Sequence, residues 1–419
     1  MRVVVVDLNA QKAGEKNIRM FYLSLAEEFE TLYYGPGYST ESELQEGIAA
    51  YIARQGDIDA VFVNRWIFEG AVDWEFGGVK AAYAMHRAVT PFYNVVETIR
   101  YCQVIVDELF QMEDMIRLLC WNDDTISLSV RSWKLLKACL EAGFYLIGQN
   151  EQLAWNGNRD IEFGGVPVTS RYYNLVCKYR KQVITCSFDA VSAYDFYFKP
   201  LEKRKYDGVV PGNIEKFRYP RRYQVYKILK NTSFLIWDKS FSRTLQYKYF
   251  RDKLKNVHYE RWQDKVLDVV FRVNALVPSY VPMEKIALFR ENYAESLHQS
   301  KIAYFEGTDA DTVVCKFFEI PAAGCLMAGS MPKGADVMGF KDKYNVIEAK
   351  PEKMPQVMNM LLENPEKMQK IALRGQQLVI KKHTISCRIK NVKSALETIK
   401  KGEFAGSHYD NGDFVIERE

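Results

Sequence analysis

No Gly-x-Gly-x-x-Gly run follows any apolar stretch of this 419-residue chain, which disfavours a dinucleotide-dependent dehydrogenase. No Cys-x-x-Cys pair occurs among the 8 cysteines, and no Cys/His group has metal-ligand spacing. Cys102, Cys120, Cys139, Cys177, Cys186, Cys315, Cys325 and Cys387 are scattered, most of them in apolar runs, and read as reduced core residues. No apolar run approaches the roughly 18 residues of a membrane helix, so no transmembrane segment is expected. The opening Met1-Arg-Val-Val-Val-Val-Asp7 reads as a strand and is too short for a leader, and the expected compartment is the cytoplasm. A strong excess of either charge is also missing. The net charge of +4 allows an anionic ligand without demanding nucleic acid.

What is present suits a large, two-domain globular protein: 48% hydrophobic and 26% charged residues, with length for two full cores. Arg2 to Leu8 is a continuous apolar run, as in a strand buried on both faces of a parallel sheet. A helix with Ile18, Phe21, Tyr22, Leu25 and Phe29 on one face follows. Then come a strand at Leu32–Tyr34, a helix from Ser42 to Arg54 and a strand at Asp57–Val63. This β-α-β-α-β order predicts a doubly wound sheet. Residues 64–103, with Trp66, Trp74, Gly77, Gly78 and Pro91, read equally as an acceptor-shaping insertion or as irregular packing structure. Further strands are predicted at Ile116–Trp121, Phe144–Gly148, Gly165–Val168 and Gln182–Ser187. Asp123 and Asp124 stand just past the first of these, where open α/β sheets keep their ligand crevice. Either is a candidate general base for an acceptor hydroxyl, while an aspartate before a helix is more usually its N-cap. His86, in a helical pattern with Tyr83 and Arg87, reads as a structural or surface residue.

A second α/β unit begins at Tyr206-Asp-Gly-Val-Val-Pro-Gly212. Gly212 and Asn213 allow the backbone to approach a ligand closely. Tyr219-Pro-Arg-Arg-Tyr223 opens a helix, with proline suited to its first turn. Arg221 and Arg222 there read as a solvated basic face. Strands are predicted at Phe234–Trp237 and Asn345–Glu348, helices at Glu284–His298, Pro351–Leu362, Pro365–Ile380 and from His383 onward. Tyr280 reads as a core tyrosine. The polar residues 402–419 are expected to be a loose tail.

One stretch organises this half. Lys301–Phe305 reads as a strand, 306–310 as a loop, and Asp311 to Pro321 as a helix closed by Pro321 and Gly324, before a strand from Cys325 to Ala328. A loop feeding a helix N-terminus suits a diphosphate. Asp311 and Glu319, on one helix, could reach a sugar and two ribose hydroxyls; the plainer reading is an ordinary strand–helix–strand unit with solvated carboxylates.

The segment Lys316-Phe-Phe-Glu319-Ile-Pro-Ala-Ala-Gly324 resembles the donor-site segment of GT-B glycosyltransferases. It is most similar to the CgeB-like group of spore-maturation proteins, related to glycosyltransferase family 4. Glu319 matches the second acid of that pattern, Asp311 stands in place of its first Glu, and Lys316 stands where an Arg is frequent. The stretch from Tyr206 to Leu229 resembles the first strand and helix of the donor domain, and His383-Thr384 with Arg388 resembles the closing segment. The resemblance covers residues 205–400 well and the first half weakly.

It implies an α/β protein of GT-B architecture, two doubly wound Rossmann-like domains facing a cleft. Residues 1–200 would bind the acceptor, 201–382 the nucleotide sugar, and 383–401 would form a C-terminal helix. It implies transfer of a sugar from a nucleotide-diphosphate donor to a hydroxyl acceptor, with retained configuration and no cofactor or bound metal. Asp123, Asp124 and Asp311 would carry the chemistry; Gly212, Asn213, Arg221, Arg222, Tyr280, Lys316 and Glu319 would hold the donor. The acceptor is not identified. The alternatives are a non-catalytic nucleotide- or glycan-binding protein of the same fold, a DNA-base glycosyltransferase, for which DNA is an admissible but unfavoured partner, and a nucleotide-sugar epimerase.

Overall fold

The computed structural model describes residues 1–8, 16–71, 95–121, 130–148, 162–163, 166–167, 174–188, 190–192, 196–212, 220–229, 234–237, 293–306, 313–332 and 334–419. The chain divides into two compact units, and Thr185 begins a segment of the second. Among the described residues, no helix is long and apolar enough to cross a membrane.

The first unit is built on strands β1 (Arg2–Val6), β2 (Glu30–Tyr34), β3 (Ala60–Asn64), β4 (Ile116–Trp121), β5 (Tyr145–Gly148) and β6 (Val183–Thr185), in the order β2-β1-β3-β4-β5-β6. The pairings from β2 through β5 are parallel. Val3 to Val6 and Ala60 to Val63 are fully buried, as expected of strands covered on both faces. The helices include α1 (Lys16–Ser24), α2 (Glu41–Glu46), α3 (Ile48–Gln55), α4 (Arg65–Gly70), α5 (Val95–Gln111) and α6 (Val130–Glu141).

The single helix expected from Ser42 to Arg54 is two. Gly47 lies at φ 91°, outside helical space, and a Cβ there would strike the Glu108 carboxylate. Glu108 Oε2 accepts the Ala49 backbone N–H at 3.0 Å and so caps the restarted helix. The strand expected at Gly165–Val168 is a two-residue arm, Val166–Pro167, antiparallel to Glu162–Phe163.

The second unit carries β7 (Tyr206–Pro211), α7 (Pro220–Leu229), β8 (Phe234–Trp237), α8 (residues 293–298), β9 (Ser300–Phe305), α9 (Lys316–Ala322), β10 (Leu326–Gly329) and β11 (Ile347–Glu348). Its sheet runs β8-β7-β9-β10-β11, all parallel. α10 (Met354–Leu362), α11 (Pro365–Lys382) and α12 (Ile385–Lys400) follow. Asn364 accepts the Lys367 N–H at the start of α11, and Thr384 accepts the Cys387 N–H at the start of α12.

Residues 402–419 are not a loose tail. Phe404–Asp410 (β12) and Asp413–Arg418 (β13) pair antiparallel around Asn411 and Gly412, at φ 48° and 85°. Positive φ at both central residues is what a two-residue hairpin turn requires, and Asn-Gly supplies it. Tyr409 and Phe414 pack on the second unit's core, which gives the hairpin its reason to fold.

Candidate functional site

The residues of interest gather at the carboxyl end of the second unit's sheet. This is where open parallel sheets bind ligands. β7 ends at Pro211 and hands over to Gly212 at φ 114°. β9 ends at Phe305 and is followed by Glu306; β10 ends at Gly329 and is followed by Ser330. α9 begins at Lys316.

α9 is shorter than expected. Val313 and Val314 precede it in non-helical conformation, so the helix does not extend over the whole 311–319 stretch. β-Branched residues pair weakly with helix propagation. Its far end passes Pro321 and stops at Ala322, with Gly324 at φ 66° beyond. Every residue of α9 is buried, including Lys316 and Glu319. Those two are three residues apart and lie on one helix face.

Two positive side chains meet above Gly212. A Cβ at that position would lie 3.1 Å from Lys316 Cε and 3.3 Å from Arg222 Nη1. Both cations are only 7% exposed. Arg222 stands over the Phe305 ring, Cζ 4.8 Å from its centroid, and Lys316 Nζ lies 5.9 Å from the same ring. Arg222 Nε donates to the Glu306 carbonyl at 3.0 Å. Lys316 Nζ donates to the Tyr293 hydroxyl at 3.0 Å. The Glu306 carboxylate accepts from the Tyr304 hydroxyl at 2.9 Å and from the Ser330 hydroxyl at 2.6 Å. The Tyr293 phenol is pushed up by burial first and by the charge of Glu319 second, so it stays protonated. Ammonium and guanidinium drawn together out of water repel each other. A polyanion placed between them relieves that repulsion and accepts charge-assisted hydrogen bonds from both.

Behind α9, Phe318 faces away from this cluster onto the His383 and Phe340 rings. His383 Nε2 lies 2.8 Å from the Met338 carbonyl, and its Nδ1 lies 2.9 Å from Arg388 Nη2. Burial and the neighbouring guanidinium hold the imidazole pKa well below its usual value. Arg388 also donates to the Tyr409 hydroxyl at 2.7 Å. The buried His383–Arg388 pair thus backs the helix that presents Lys316 and Glu319.

The structure therefore brings together Gly212, Arg222, Lys316 and Glu319 from the sequence-derived set. Arg221 lies in the first turn of α7. Asn213, Tyr280, Asp123, Asp124 and Asp311 lie outside the described residues, as do His86 and Trp74. Sequence reasoning missed Tyr293 and Glu306. Glu306 is the first residue past a central strand, and the rule that ligands sit at strand carboxyl ends points to it. No signal of that kind marked Tyr293, whose meeting with Lys316 spans 23 residues of sequence.

A family model described as glycosyl transferase-like matches residues 240–394. That span contains Lys316 and Glu319; Gly212 and Arg222 precede it. No curated protein matches the chain. Among solved structures, the chain is similar to sucrose-phosphate synthase from Thermosynechococcus elongatus, at 10% identity over 96% of this chain and 100% of that one, with a TM-score of 0.50. HepE from Anabaena, solved with UDP-glucose, gives 9% identity, 95% and 100% coverage and a TM-score of 0.49. A glycosyltransferase from Rickettsia africae gives 10%, 96%, 98% and 0.48. The likeness to the synthase is one of fold: an α/β protein of two Rossmann-like domains, the GT-B architecture.

Proposed function

We propose that the chain is a glycosyltransferase that moves a sugar from a nucleotide-diphosphate donor to a hydroxyl acceptor, of the hexosyltransferase type. The observation that carries this reading is the convergence of buried Lys316 and Arg222 on the bare backbone of Gly212, with Glu319 on the same helix face as Lys316. The glycosyl transferase-like match over residues 240–394 supports it.

The departing diphosphate gains charge as the bond to the sugar breaks, and the sugar develops oxocarbenium character. Two cations already buried beside Gly212 would stabilise that charge. Glu319 would accept hydrogen bonds from ribose hydroxyls, and Arg221, Asn213 and Tyr280 would complete the donor site. Asp311 would face the donor sugar, and Asp123 or Asp124 would take the acceptor proton. No metal or cofactor is assigned a role, and retention of configuration is the proposed outcome.

Incubating the protein with a panel of nucleotide sugars and candidate hydroxyl acceptors tests this. Release of a nucleoside diphosphate together with a glycosylated product is the expected result. Tight nucleotide binding with no turnover of any donor would instead establish a non-catalytic binding protein. Asp123→Asn and Asp124→Asn should then separate the steps, one of them slowing transfer while donor affinity holds.

A further inference from the structure

Three groups at the site have hydrogen-bonding directions fixed by their chemistry. An ammonium only donates, an ionised carboxylate only accepts, and a phenol has a single proton. Lys316 Nζ lies 3.0 Å from the Tyr293 hydroxyl, and the same hydroxyl is hydrogen-bonded to the Glu319 side chain. The phenol oxygen must therefore accept from Lys316 and give its proton to Glu319. No other arrangement satisfies all three.

We infer that Tyr293 is a positioning residue for the proposed donor site: its phenol locks Lys316 to Glu319, so that the phosphate-facing cation and the ribose-facing carboxylate hold one spacing. This rests on the reading of the site as a nucleotide site. The geometry is restrictive. Tyr293 is 4% exposed and its ring packs in the apolar core with Phe305 and Phe317. The Lys316 ammonium lies 4.4 Å from the Tyr293 ring centroid, so hydroxyl and ring hold it on two sides. The backbone carbonyl of Tyr293 accepts from the Ser296 hydroxyl at 2.6 Å, which fixes the helix turn that carries the ring. Because burial and the Glu319 charge both hold the phenol protonated, its donor role persists across the working pH range.

A lysine side chain has four rotatable bonds and a compact charge, and it loses much freedom when it grips a phosphate. Tyr293 removes that freedom before the ligand arrives. The lock holds a cation at one end and a carboxylate at the other, the pair of groups that a phosphate and the hydroxyls of a pentose would take. A nucleoside alone would use only the Glu319 end.

Calorimetric titration with uridine, guanosine, adenosine and thymidine diphosphates decides the matter, followed by a double-mutant cycle on the nucleotide that binds. Tyr293→Phe keeps the ring in the core and removes only the hydroxyl. It should weaken diphosphate binding by about tenfold, the worth of one hydrogen bond to a charged group. Lys316→Met should weaken it further, and adding Tyr293→Phe to Lys316→Met should cost less than about twofold more. A side chain that merely supports the fold would give independent, additive losses instead. Additive losses, or full affinity in Tyr293→Phe, would overturn the positioning role while leaving the donor-site reading intact. A wild-type chain that binds none of the four nucleotides would overturn both.

Discussion

His383 and Arg388 form a buried pair in which the guanidinium donates to Nδ1 of the imidazole at 2.9 Å, so the ring carries its proton on Nε2, toward the Met338 carbonyl. Neither side chain has any appreciable exposure. The pair sits beneath Phe318, whose neighbours in sequence include Lys316 and Glu319. An arginine this deep contributes by filling acceptors, and its loss strands them.

Arg388→Met keeps most of the volume and removes the donors to His383 Nδ1 and the Tyr409 hydroxyl. The expected loss is about 3 kcal/mol of unfolding free energy, because two buried polar groups each lose a charged donor. Urea unfolding followed by tryptophan fluorescence measures it. A change below about 0.5 kcal/mol would show that the pair is inert.

A pH effect is expected from His298. Its Nε2 accepts the Tyr197 backbone N–H at 3.2 Å, which needs the neutral ring. Burial first, and the Arg204 charge next, lower its pKa to about 4 from an ordinary 6.5. The unfolded chain therefore takes up the proton first as pH falls below about 6.5. Stability contributed by this residue is present above that value and drains away toward pH 4. His298→Gln, which retains an acceptor, should show a shallower fall in denaturation midpoint over that window than the wild type. Identical slopes would sink the assignment.

Gly212→Ala tests the cradle. At φ 114° an alanine is strained, and its methyl would press on Lys316 Cε and Arg222 Nη1. The cost in stability should be about 1–2 kcal/mol. Nucleoside diphosphate affinity should fall by roughly tenfold or more, because both cations must yield. If calorimetry finds affinity intact, the anion binds elsewhere.

The hairpin at residues 404–418 should matter to the second unit as a whole. Ser407 Oγ accepts the Thr185 N–H at 2.8 Å, and Thr185 Oγ1 donates to the Ser407 carbonyl at 2.7 Å. Removing residues 403–419 would take both of these bonds from Thr185 and delete the buried Phe404 and Tyr409, uncovering the core on which Tyr409 packs. A loss of at least about 3 kcal/mol is expected in thermal unfolding. An unchanged melting temperature would mean that the hairpin is an ornament.

Much of the architecture was legible in the residues. The apolar run at Val3–Val6 announced a strand buried on both faces, that at Leu118–Trp121 announced a strand, and the pattern from Lys316 to Gly324 marked the helix of the candidate site. Hairpin chemistry was legible too, in Asn411-Gly412, but the polar composition around it argued for a tail. Other features are invisible to pattern. Arg117, Arg204 and Arg388 look like surface charges, yet each is buried. Arg204 alone gathers the carbonyls of Lys199, Leu297, Ser300 and Ala323. Which carbonyls an arginine will find depends on loop ends that converge only after folding. The same holds for Tyr293, whose phenol finds Lys316 and Glu319 only once α8 and α9 lie side by side.

The bond from Thr185 to Ser407 closes a loop of 222 residues. The first five strands of the amino-terminal sheet lie within residues 1–148 and are free to pair while the ribosome is still working. The other unit has no such head start. Its apolar interior waits for Tyr409 and Phe414, so it completes only when residue 414 has left the exit tunnel. During that interval a nascent chain displays an unfinished apolar core, a stretch of its life in which chaperones are its natural company.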